Sequence, residues 1–399
     1  MTILCLASYE KGYEFLQEAK RLGCRVLLLT SLNLKGKHHF PAGSFDEIFY
    51  MPDEKHKWKR EDTLNAVSYL ARTQEIDRVV PLDDFDLEMA AAIREHLRIP
   101  GMGETTTRYF RDKLAMRMKA QESGVLVPEF VHMLNHELVR RYTETTLPPW
   151  VLKPRFLAGA IGIKKIESVD QLWEIAEKLG DEQSHYVLER FVAGDIFHVD
   201  SIVYDRKVVF ACASRYGRPP LEVAHQGGIF TTALLPHDSK DEKALLAMNR
   251  KVLAAMGLLR GVSHTEFIRG QRDGQFYFME TSARVGGAHI SDMLEAGIGV
   301  NMWREWARVE VAGGKAAYHP PKGSKKYAGL LVSLARQEHP DTSAYTDPEI
   351  VWRMDKKHHV GFIFRSGRLE RVQELLASYV DRVKDDFHAS APPRDRPTE

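Results

Sequence analysis

The stretch FMETSARVGGAHI, residues 278–290, places a glutamate, a serine and an arginine at every second position before a pair of glycines. Side chains of a β-strand alternate between two faces, so Glu280, Ser282 and Arg284 are predicted to share one face. A solvated or salt-bridged strand end would also accept three polar groups. The preceding GQFYFM, residues 274–279, is too apolar for a simple solvated edge. The pattern therefore favours a functional site.

The segment LRGVSHTEFIRGQRDGQFYFMETS, residues 259–282, has the pattern of a β-hairpin with its turn near RDG. Positions 266 and 280 are equidistant from that turn, so cross-strand pairing is predicted to bring Glu266 beside Glu280 on one face. Two neighbouring carboxylates repel each other unless a cation lies between them. Because Mg²⁺ is held by one or two carboxylates together with nucleotide phosphates, the pair predicts a magnesium–nucleotide site.

Composition bounds the class of protein. The chain has 399 residues, 44% of them apolar and 28% charged, which is ordinary for a globular protein of two or three domains. Its formal charge of +1 does not favour nucleic acid or a membrane surface as a partner. No apolar run reaches the length of a signal peptide core or a membrane span, so a cytoplasmic location is expected. Cys5, Cys24 and Cys212 lie in apolar runs without CxxC spacing and are expected to be buried thiols.

The first hundred residues alternate strand and helix patterns. The segments ILCLA, GYEFLQEAKRLG and RVLLLT follow one another as a βαβ unit, which predicts a parallel sheet. The first loop lacks the Gly-x-Gly-x-x-Gly spacing, so a dinucleotide site is not expected there. The turn DDFD, residues 83–86, follows a later predicted strand at the edge where such sheets bind ligands. Asp84 is therefore a candidate substrate contact, with a helix N-terminal role as the alternative.

Two lysines in other segments support a phosphate site. Lys113 lies in RDKLAMR, and Lys153 lies in VLKPRF just before the sequence AGAIG, which contains Gly159 and Gly162. Backbone amides of a glycine-bearing loop can fold over phosphates, and a strand-borne lysine supplies a positive point charge. For Lys153, a solvated strand end is the alternative.

In this order the segments resemble the ATP-grasp superfamily, over roughly residues 3–315. RDK followed by SGVLVP is similar to the first phosphate-binding lysine of that family and its following turn. VLKP is similar to the second lysine, AGAIGI to the mobile loop that covers the phosphates, and VLERFV to the hinge beside the adenine.

The resemblance implies an α/β chain, α+β overall, with an N-terminal Rossmann-like parallel sheet domain, a small lid domain and a larger antiparallel-sheet catalytic domain. The expected boundaries are residues 1–105 for the N-terminal domain, 106–190 for a linker helix and the lid, 191–318 for the catalytic subdomain, 319–388 for a small C-terminal subdomain and 389–399 for a disordered tail.

The resemblance also implies a nucleotide site. The two lysines would contact ATP phosphates, and backbone groups of residues 189–192 would read the adenine edge. An acidic residue near the ribose would be expected at Ile196, and Asp195 is the substitute. The expected ATP-binding residues are Lys113, Lys153, Gly159, Gly162, Glu189, Arg190, Phe191, Val192, Asp195 and His198.

For the metal, the resemblance implies that Glu266 and Glu280 ligate Mg²⁺, with Mn²⁺ as an alternative ion. Ser282 stands where the commonest family pattern has asparagine, so one hydroxyl replaces a carboxamide oxygen in the expected ligand set. Arg284 would face the reacting acyl phosphate.

Members of the family typically let a substrate carboxylate attack the γ-phosphate of ATP, and an amine then opens the resulting acyl phosphate. The motifs SHTEF and ETSARVGG look most like those of bacterial amino-acid ligases that form dipeptides. His264 is the second candidate catalytic residue, as a substrate contact or as the acceptor of a proton from the incoming ammonium; a histidine satisfied inside the sheet is the alternative. The candidate substrate residues are Asp84, Asp200, Arg215, Tyr216, His225, Gly286, Gly287 and His289.

The leading hypothesis is therefore an ATP-dependent carboxylate–amine ligase whose partners are small-molecule acids and amines, with amino acids as the expected substrates. The alternatives are a biotin-carboxylase-like enzyme that activates bicarbonate and a non-catalytic ATP-binding regulatory protein. A homodimer is kept as an alternative for the assembly state.

Overall fold

A computed structural model describes residues 1–54, 56–157, 159, 161–313 and 318–390, without the side chains of 224–226. The expected tail at 389–399 lies outside the described residues from position 391 onwards. The described residues contain a four-stranded parallel sheet, antiparallel sheets of four and eight strands and a two-stranded pair, with helices packed against the larger sheets. The expected α/β class is confirmed.

The N-terminal region forms a four-stranded parallel sheet in the order β3-β2-β1-β6. Three of its strands are mostly apolar runs buried on both faces, as expected where helices cover a parallel sheet, whereas the edge strand Glu47–Met51 is only partly buried. The elements are β1 (Thr2–Ala7), α1 (Tyr13–Arg21), β2 (Arg25–Ser31), β3 (Glu47–Met51), a two-residue pair β4 (Asp53–Glu54) and β5 (Lys57–Trp58), α2 (Arg60–Leu70), β6 (Arg78–Pro81) and α3 (Leu87–Leu97). Short 3₁₀ helices follow β2 and β6, at Leu32–Leu34 and Asp84–Asp86.

Two helices lead into a small antiparallel sheet of order β7-β10-β8-β9. Its apolar face, with Trp150, Leu152 and Leu188 fully buried, packs against Leu172 and Ala176 of a covering helix. The elements are α4 (Glu104–Arg108), α5 (Lys113–Glu122), β7 (Phe130–His132), α6 (His136–Thr145), β8 (Trp150–Pro154), β9 (Lys164–Ile166), α7 (Val169–Leu179), a 3₁₀ helix (Gly180–His185) and β10 (Tyr186–Arg190).

The remainder of the chain builds an eight-stranded antiparallel sheet in the order β15-β14-β11-β12-β13-β16-β18-β17. The elements are β11 (Gly194–Tyr204), β12 (Lys207–Tyr216), α8 (Pro220–Gln226), β13 (Phe230–Leu234), α9 (Lys240–Met256), β14 (Gly261–Gly270), β15 (Phe276–Ser282), α10 (Ile290–Ile298), α11 (Met302–Ala312), β16 (Tyr327–Leu334), β17 (Ile350–Arg353), β18 (His359–Ser366) and α12 (Leu369–Asp386).

Two tight turns fix the order of the central strands. Asp205 and Arg206 join β11 to β12 with φ of 48° and 61°, the left-handed conformation that a two-residue hairpin turn requires. Gly274, with φ of 66°, lies in the connection between β14 and β15. The hairpin predicted from the sequence with its turn near RDG is therefore present.

The C-terminal strands extend the same large sheet, because β16 pairs with β13 through four residue pairs from Phe230↔Val332 to Ala233↔Gly329. The domain boundaries given above stay predictions.

The three cysteines are free and buried, as expected. Among the helices of the described residues, none has the length and apolar content that crossing a membrane requires.

Candidate active site

A cavity of about 1040 Å³ lies between the small antiparallel sheet and the large one. Most of the residues that the sequence singled out line it, although they come from segments more than 170 positions apart. They are Lys113, Lys153, Gly159, Glu189, Arg190, Phe191, Val192, Asp195, Tyr216, His264, Glu266, Glu280, Ser282, Arg284 and Gly287.

The β14–β15 hairpin presents the carboxylates to this cavity. Its register pairs Glu266 with Glu280 and His264 with Ser282, as the position of the turn predicted. A bulge follows this pair, since Phe267 is opposite Phe278 and Met279 has no partner of its own. Met279 is the extra residue of this bulge, and the side chains of Met279 and Glu280, although consecutive in the chain, both line the cavity.

Each carboxylate is already matched by protein donors. Glu266 accepts a hydrogen bond from the Tyr216 hydroxyl at 2.8 Å, and His264 Nε2 lies 3.6 Å from the same oxygen. Glu280 lies 3.0 Å from Lys113 Nζ. Two paired carboxylates that face one cavity supply the hard oxygen ligands that Mg²⁺ prefers, so these residues fit a magnesium ion.

A chain of buried hydrogen bonds lies behind Glu266. Asp200 Oδ1 and Oδ2 contact His264 Nδ1 at 2.9 Å and His198 Nδ1 at 2.7 Å, and His198 Nε2 contacts the hydroxyl of Thr232 at 2.8 Å. Donor atoms of His198, Asp200 and His264 lie within 4.8 Å of one another, close enough to hold a metal ion. The hydrogen bonds already engage these atoms, so the geometry is that of a network that orients His264.

The charge state of His264 follows from its neighbours. Burial alone lowers the pKa of His264, but the carboxylates of Asp200 and Glu266 more than reverse this and raise it to about 9. The imidazole is therefore protonated at neutral pH and has no lone pair with which to accept a proton. Of the two roles considered from the sequence, donation to a substrate fits this state and proton acceptance does not.

His198 and Asp200 do not line the cavity. Both are almost completely buried, at 0% and 1% exposure, and both belong to the hydrogen-bond chain behind Glu266. The expected contacts of His198 with ATP and of Asp200 with substrate are therefore not supported. Asp200 contacts His264, which lines the cavity, and His198 contacts Asp200.

Arg284 is held by the N-terminal sheet. Its Nε donates to Asp84 Oδ2 at 2.6 Å, and its Nη1 donates to the carbonyl of Val285 at 2.7 Å. Asp84 is buried and does not line the cavity, so the expected substrate contact is replaced by an anchoring role. The alternative, a helix N-terminal role, is present in the structure: Asp83 caps the 3₁₀ helix by accepting from the amide of Phe85, and Asp84 is a carboxylate of its first turn.

The two lysines reach the cavity from different elements. Lys113 begins α5 and donates to the carbonyl of Leu157 at 2.5 Å. Lys153 lies on β8 and donates to Glu189 on the neighbouring strand β10 at 2.7 Å. Arg117, which the sequence analysis did not identify, holds the same carboxylate. It follows Lys113 by four residues, so helical spacing was the signal that could have found it.

The segment after β10 forms one wall of the cavity. The amides of Arg190 and Phe191 already donate to the carbonyls of Glu129 and Pro149, at 2.8 and 3.0 Å. Recognition of a base by this segment would therefore rely on its carbonyl oxygens or on the Val192 amide. Asp195, also on this wall, is paired with Arg215 at 2.7 Å.

Four other expected residues, among those whose side chains the structure describes, do not line the cavity. Arg215 is half exposed in its ion pair with Asp195. Gly162 lies against Pro154 with φ of 70°. His289 precedes α10, where its Nδ1 lies 2.8 Å from Asp292.

Gly286 lies against the hydrogen-bond chain: a Cβ there would meet His264 Nδ1 at 2.8 Å and Asp200 Oδ1 at 2.9 Å. The side chain of His225 lies outside the described residues.

No family model matches the sequence. The sequence is 26% identical over 242 residues to an L-arginine-specific L-amino acid ligase of Bacillus subtilis. The matched region covers 59% of this chain and 58% of the relative, which is less than two thirds of its length.

Solved structures match over nearly the whole chain. An L-amino acid ligase from Bacillus licheniformis gives a TM-score of 0.71 at 17% identity, covering 97% of this chain and 98% of that one. The biotin carboxylase domain of a 2-oxoglutarate carboxylase from Hydrogenobacter thermophilus, crystallised with magnesium ADP and bicarbonate, gives 0.70 at 13% identity, covering 98% and 90%. At these identities the likeness establishes the fold.

Proposed function

We propose that this chain, which has the ATP-grasp fold, is an ATP-dependent carboxylate–amine ligase that joins amino acids through an acyl phosphate. The observation that carries the proposal is the position of Glu266 and Glu280, paired in register on the cavity wall. Lys113 and Lys153, from two other segments, and Arg284, four residues after Glu280, reach the same cavity. The relative's description as an amino-acid ligase supports the choice of substrate class.

ATP and Mg²⁺ are the proposed cofactors. Lys113 and Lys153 would neutralise the phosphates, and Glu266 and Glu280 would hold the ion, with Ser282 as a third oxygen on the same face. A magnesium ion in this position supplies charge stabilisation for phosphoryl transfer. Mn²⁺ is proposed as a substitute because it takes the same oxygen ligands.

The proposed reaction has two steps. A carboxylate oxygen of the first substrate attacks the γ-phosphorus, the bond to the bridging oxygen breaks, and ADP leaves. The nitrogen of the second substrate, as the neutral amine, then attacks the acyl carbon; the bond from that carbon to the phosphate oxygen breaks, and the leaving phosphate takes the proton that the nitrogen loses as the amide forms. Such chemistry requires positioning and neutralisation of charge more than protein acid–base catalysis.

Two cationic groups of the cavity match the charges that develop. Arg284, fixed by Asp84, is the proposed donor to the acyl phosphate and to the oxyanion that forms when the amine attacks. His264, protonated and fixed by Asp200, is the proposed donor to a substrate carboxylate.

The test is ADP release from purified protein with ATP and Mg²⁺ against pairs of amino acids, with L-arginine among them because of the relative's specificity. Each amino acid is also supplied alone, bicarbonate is supplied in a separate reaction, and Mn²⁺ replaces Mg²⁺ in a parallel series. ADP release that requires a pair, with a product mass equal to the two acids minus one water, would support the proposal. Release with bicarbonate and no amine would refute it in favour of a bicarbonate-activating enzyme.

ATP binding without ADP release under every condition would favour the non-catalytic alternative. The homodimer and the cytoplasmic location stay predictions, which sedimentation of the purified protein and fractionation of cells would check.

A further inference from the structure

Arg117 is a buried cation that does not itself line the cavity. It is 0% exposed, among the largest fully buried side chains of the described residues, and lies one helical turn after Lys113 on α5. A buried guanidinium is costly to desolvate unless it is paired and hydrogen-bonded. Its partners therefore indicate what it stabilises.

The guanidinium of Arg117 connects three elements. Its Nε lies 2.9 Å from Glu189 Oε1 and its Nη2 donates to Glu189 Oε2 at 3.1 Å, so it holds that carboxylate of β10 with two nitrogens. Its Nη1 donates to the carbonyl of Met279 on β15, and the group lies 5.7 Å from the ring centre of Phe278. The arginine thus ties the small sheet to the hairpin that carries Glu280.

Glu189 is shared between two cations. Lys153 Nζ lies 2.7 Å from Glu189 Oε2, the oxygen that also accepts from Arg117. One carboxylate against two cations leaves a net positive charge, and of the two cations only Lys153 lines the cavity. Without Arg117, the single negative charge of Glu189 would be paired with Lys153 alone and would neutralise its ammonium.

We propose that Arg117 is a positioning residue for the nucleotide: it neutralises Glu189 so that the Lys153 ammonium remains available to a phosphate, and it fixes the main chain of β15 beside Glu280. This inference rests on the proposed function, because it takes ATP as the ligand of the cavity. It assigns Arg117 no contact with substrate or nucleotide.

The experiment is a double-mutant cycle on ATP affinity in the presence of Mg²⁺, measured by calorimetry on the full chain. Arg117→Met is compared with the wild type, and Arg117→Met/Glu189→Gln is compared with Glu189→Gln. We expect Arg117→Met to weaken ATP binding about tenfold or more when Glu189 is charged, and about threefold or less when it is neutral, as for residues that share one ion-pair network.

Steady-state kinetics provide a second measurement. Because Arg117 is argued to act on nucleotide binding, Arg117→Met should raise KM for ATP and leave kcat within about threefold. Arg141→Met, which removes an exposed arginine of the small-sheet region, is the matched control and should change neither value.

The outcomes separate this inference from the proposed function. If the wild type does not bind ATP, both fail. If the wild type binds ATP but Arg117→Met weakens binding equally in both backgrounds, or not at all, only the role of Arg117 is refuted.

Circular dichroism of every variant identifies loss of fold. If Arg117→Met does not fold, Arg117→Lys decides, since it keeps the charge: affinity within about threefold of wild type supports the inference, and a loss of tenfold or more refutes it.

Discussion

Replacing Asp84 by Asn should reduce both stability and catalytic activity, although Asp84 does not line the cavity. The change keeps the shape of the side chain but removes the charge that holds Arg284 Nε at 2.6 Å, in a pair whose side chains are 19% and 3% exposed. A hydrogen bond to a charged group contributes about 1.5–3 kcal/mol, and breaking a buried pair costs about 3–5 kcal/mol. Because Arg284 is partly hydrated, we expect a loss of about 2–3 kcal/mol in the free energy of unfolding.

The kinetic effect of Asp84→Asn should be larger than that of a remote surface change. An arginine released from its anchor loses its alignment with the reacting group, and misplacement by about 1 Å can reduce the rate about 10²-fold. Urea unfolding measures the stability, and kcat/KM for the substrate pair measures the function. The control is Asp46→Asn, since Asp46 pairs with Lys20 at the surface, where the side chains are 36% and 29% exposed; it should lower stability by less than about 1 kcal/mol. Wild-type kcat/KM in folded Asp84→Asn would refute the anchoring role of Asp84.

Three further predictions concern the cavity and its support. Glu280→Gln should reduce magnesium-dependent ADP release by about 10²-fold or more with little loss of stability; turnover at the wild-type rate would show that the carboxylate does not hold the ion. Burial raises the pKa of Glu189, but its two cationic partners lower it to about 2. The stabilisation that the Glu189 carboxylate contributes is therefore complete above the unfolded pKa of 4.5 and is lost as pH falls towards 2. In urea unfolding, the stability of Glu189→Gln should therefore fall less steeply over this acidic range than that of the wild type. Gly286→Ala would place a methyl group 2.8 Å from His264 Nδ1 and should cost about 1–3 kcal/mol in thermal or urea unfolding, whereas Gly287→Ala, which meets nothing within 4 Å, should leave stability nearly unchanged.

Local sequence rules were sufficient for the hairpin that carries the acids. A strand has a period of two and a tight turn fixes the register, so the position of RDG predicted that Glu266 would lie opposite Glu280. The bulge at Met279 was not predicted, because an extra residue in one strand leaves no distinct local pattern.

Contacts between distant segments were beyond these rules. The pair Asp84–Arg284 spans 200 positions, and the Asp200–His264 hydrogen bond spans 64. Each depends on how whole sheets pack, so residues that looked like substrate contacts proved to support other side chains. Arg117 illustrates the opposite error, since an arginine in a helix is usually solvated and its burial became visible only with three elements in place.

The continuity of the large sheet has a consequence for how the molecule comes apart. Four residue pairs between β13 and β16 join the chain from Tyr327 onwards to the sheet whose strand β14 carries His264 and Glu266. A protease cut in the stretch before Tyr327, which has no helix or strand from residue 318 onwards, would therefore leave two fragments held together by main-chain hydrogen bonds. The nicked protein should migrate as one species in native electrophoresis and as two in denaturing detergent. In hydrogen exchange, the amide protons of β13 and β16 that pair across this junction should exchange at similar rates.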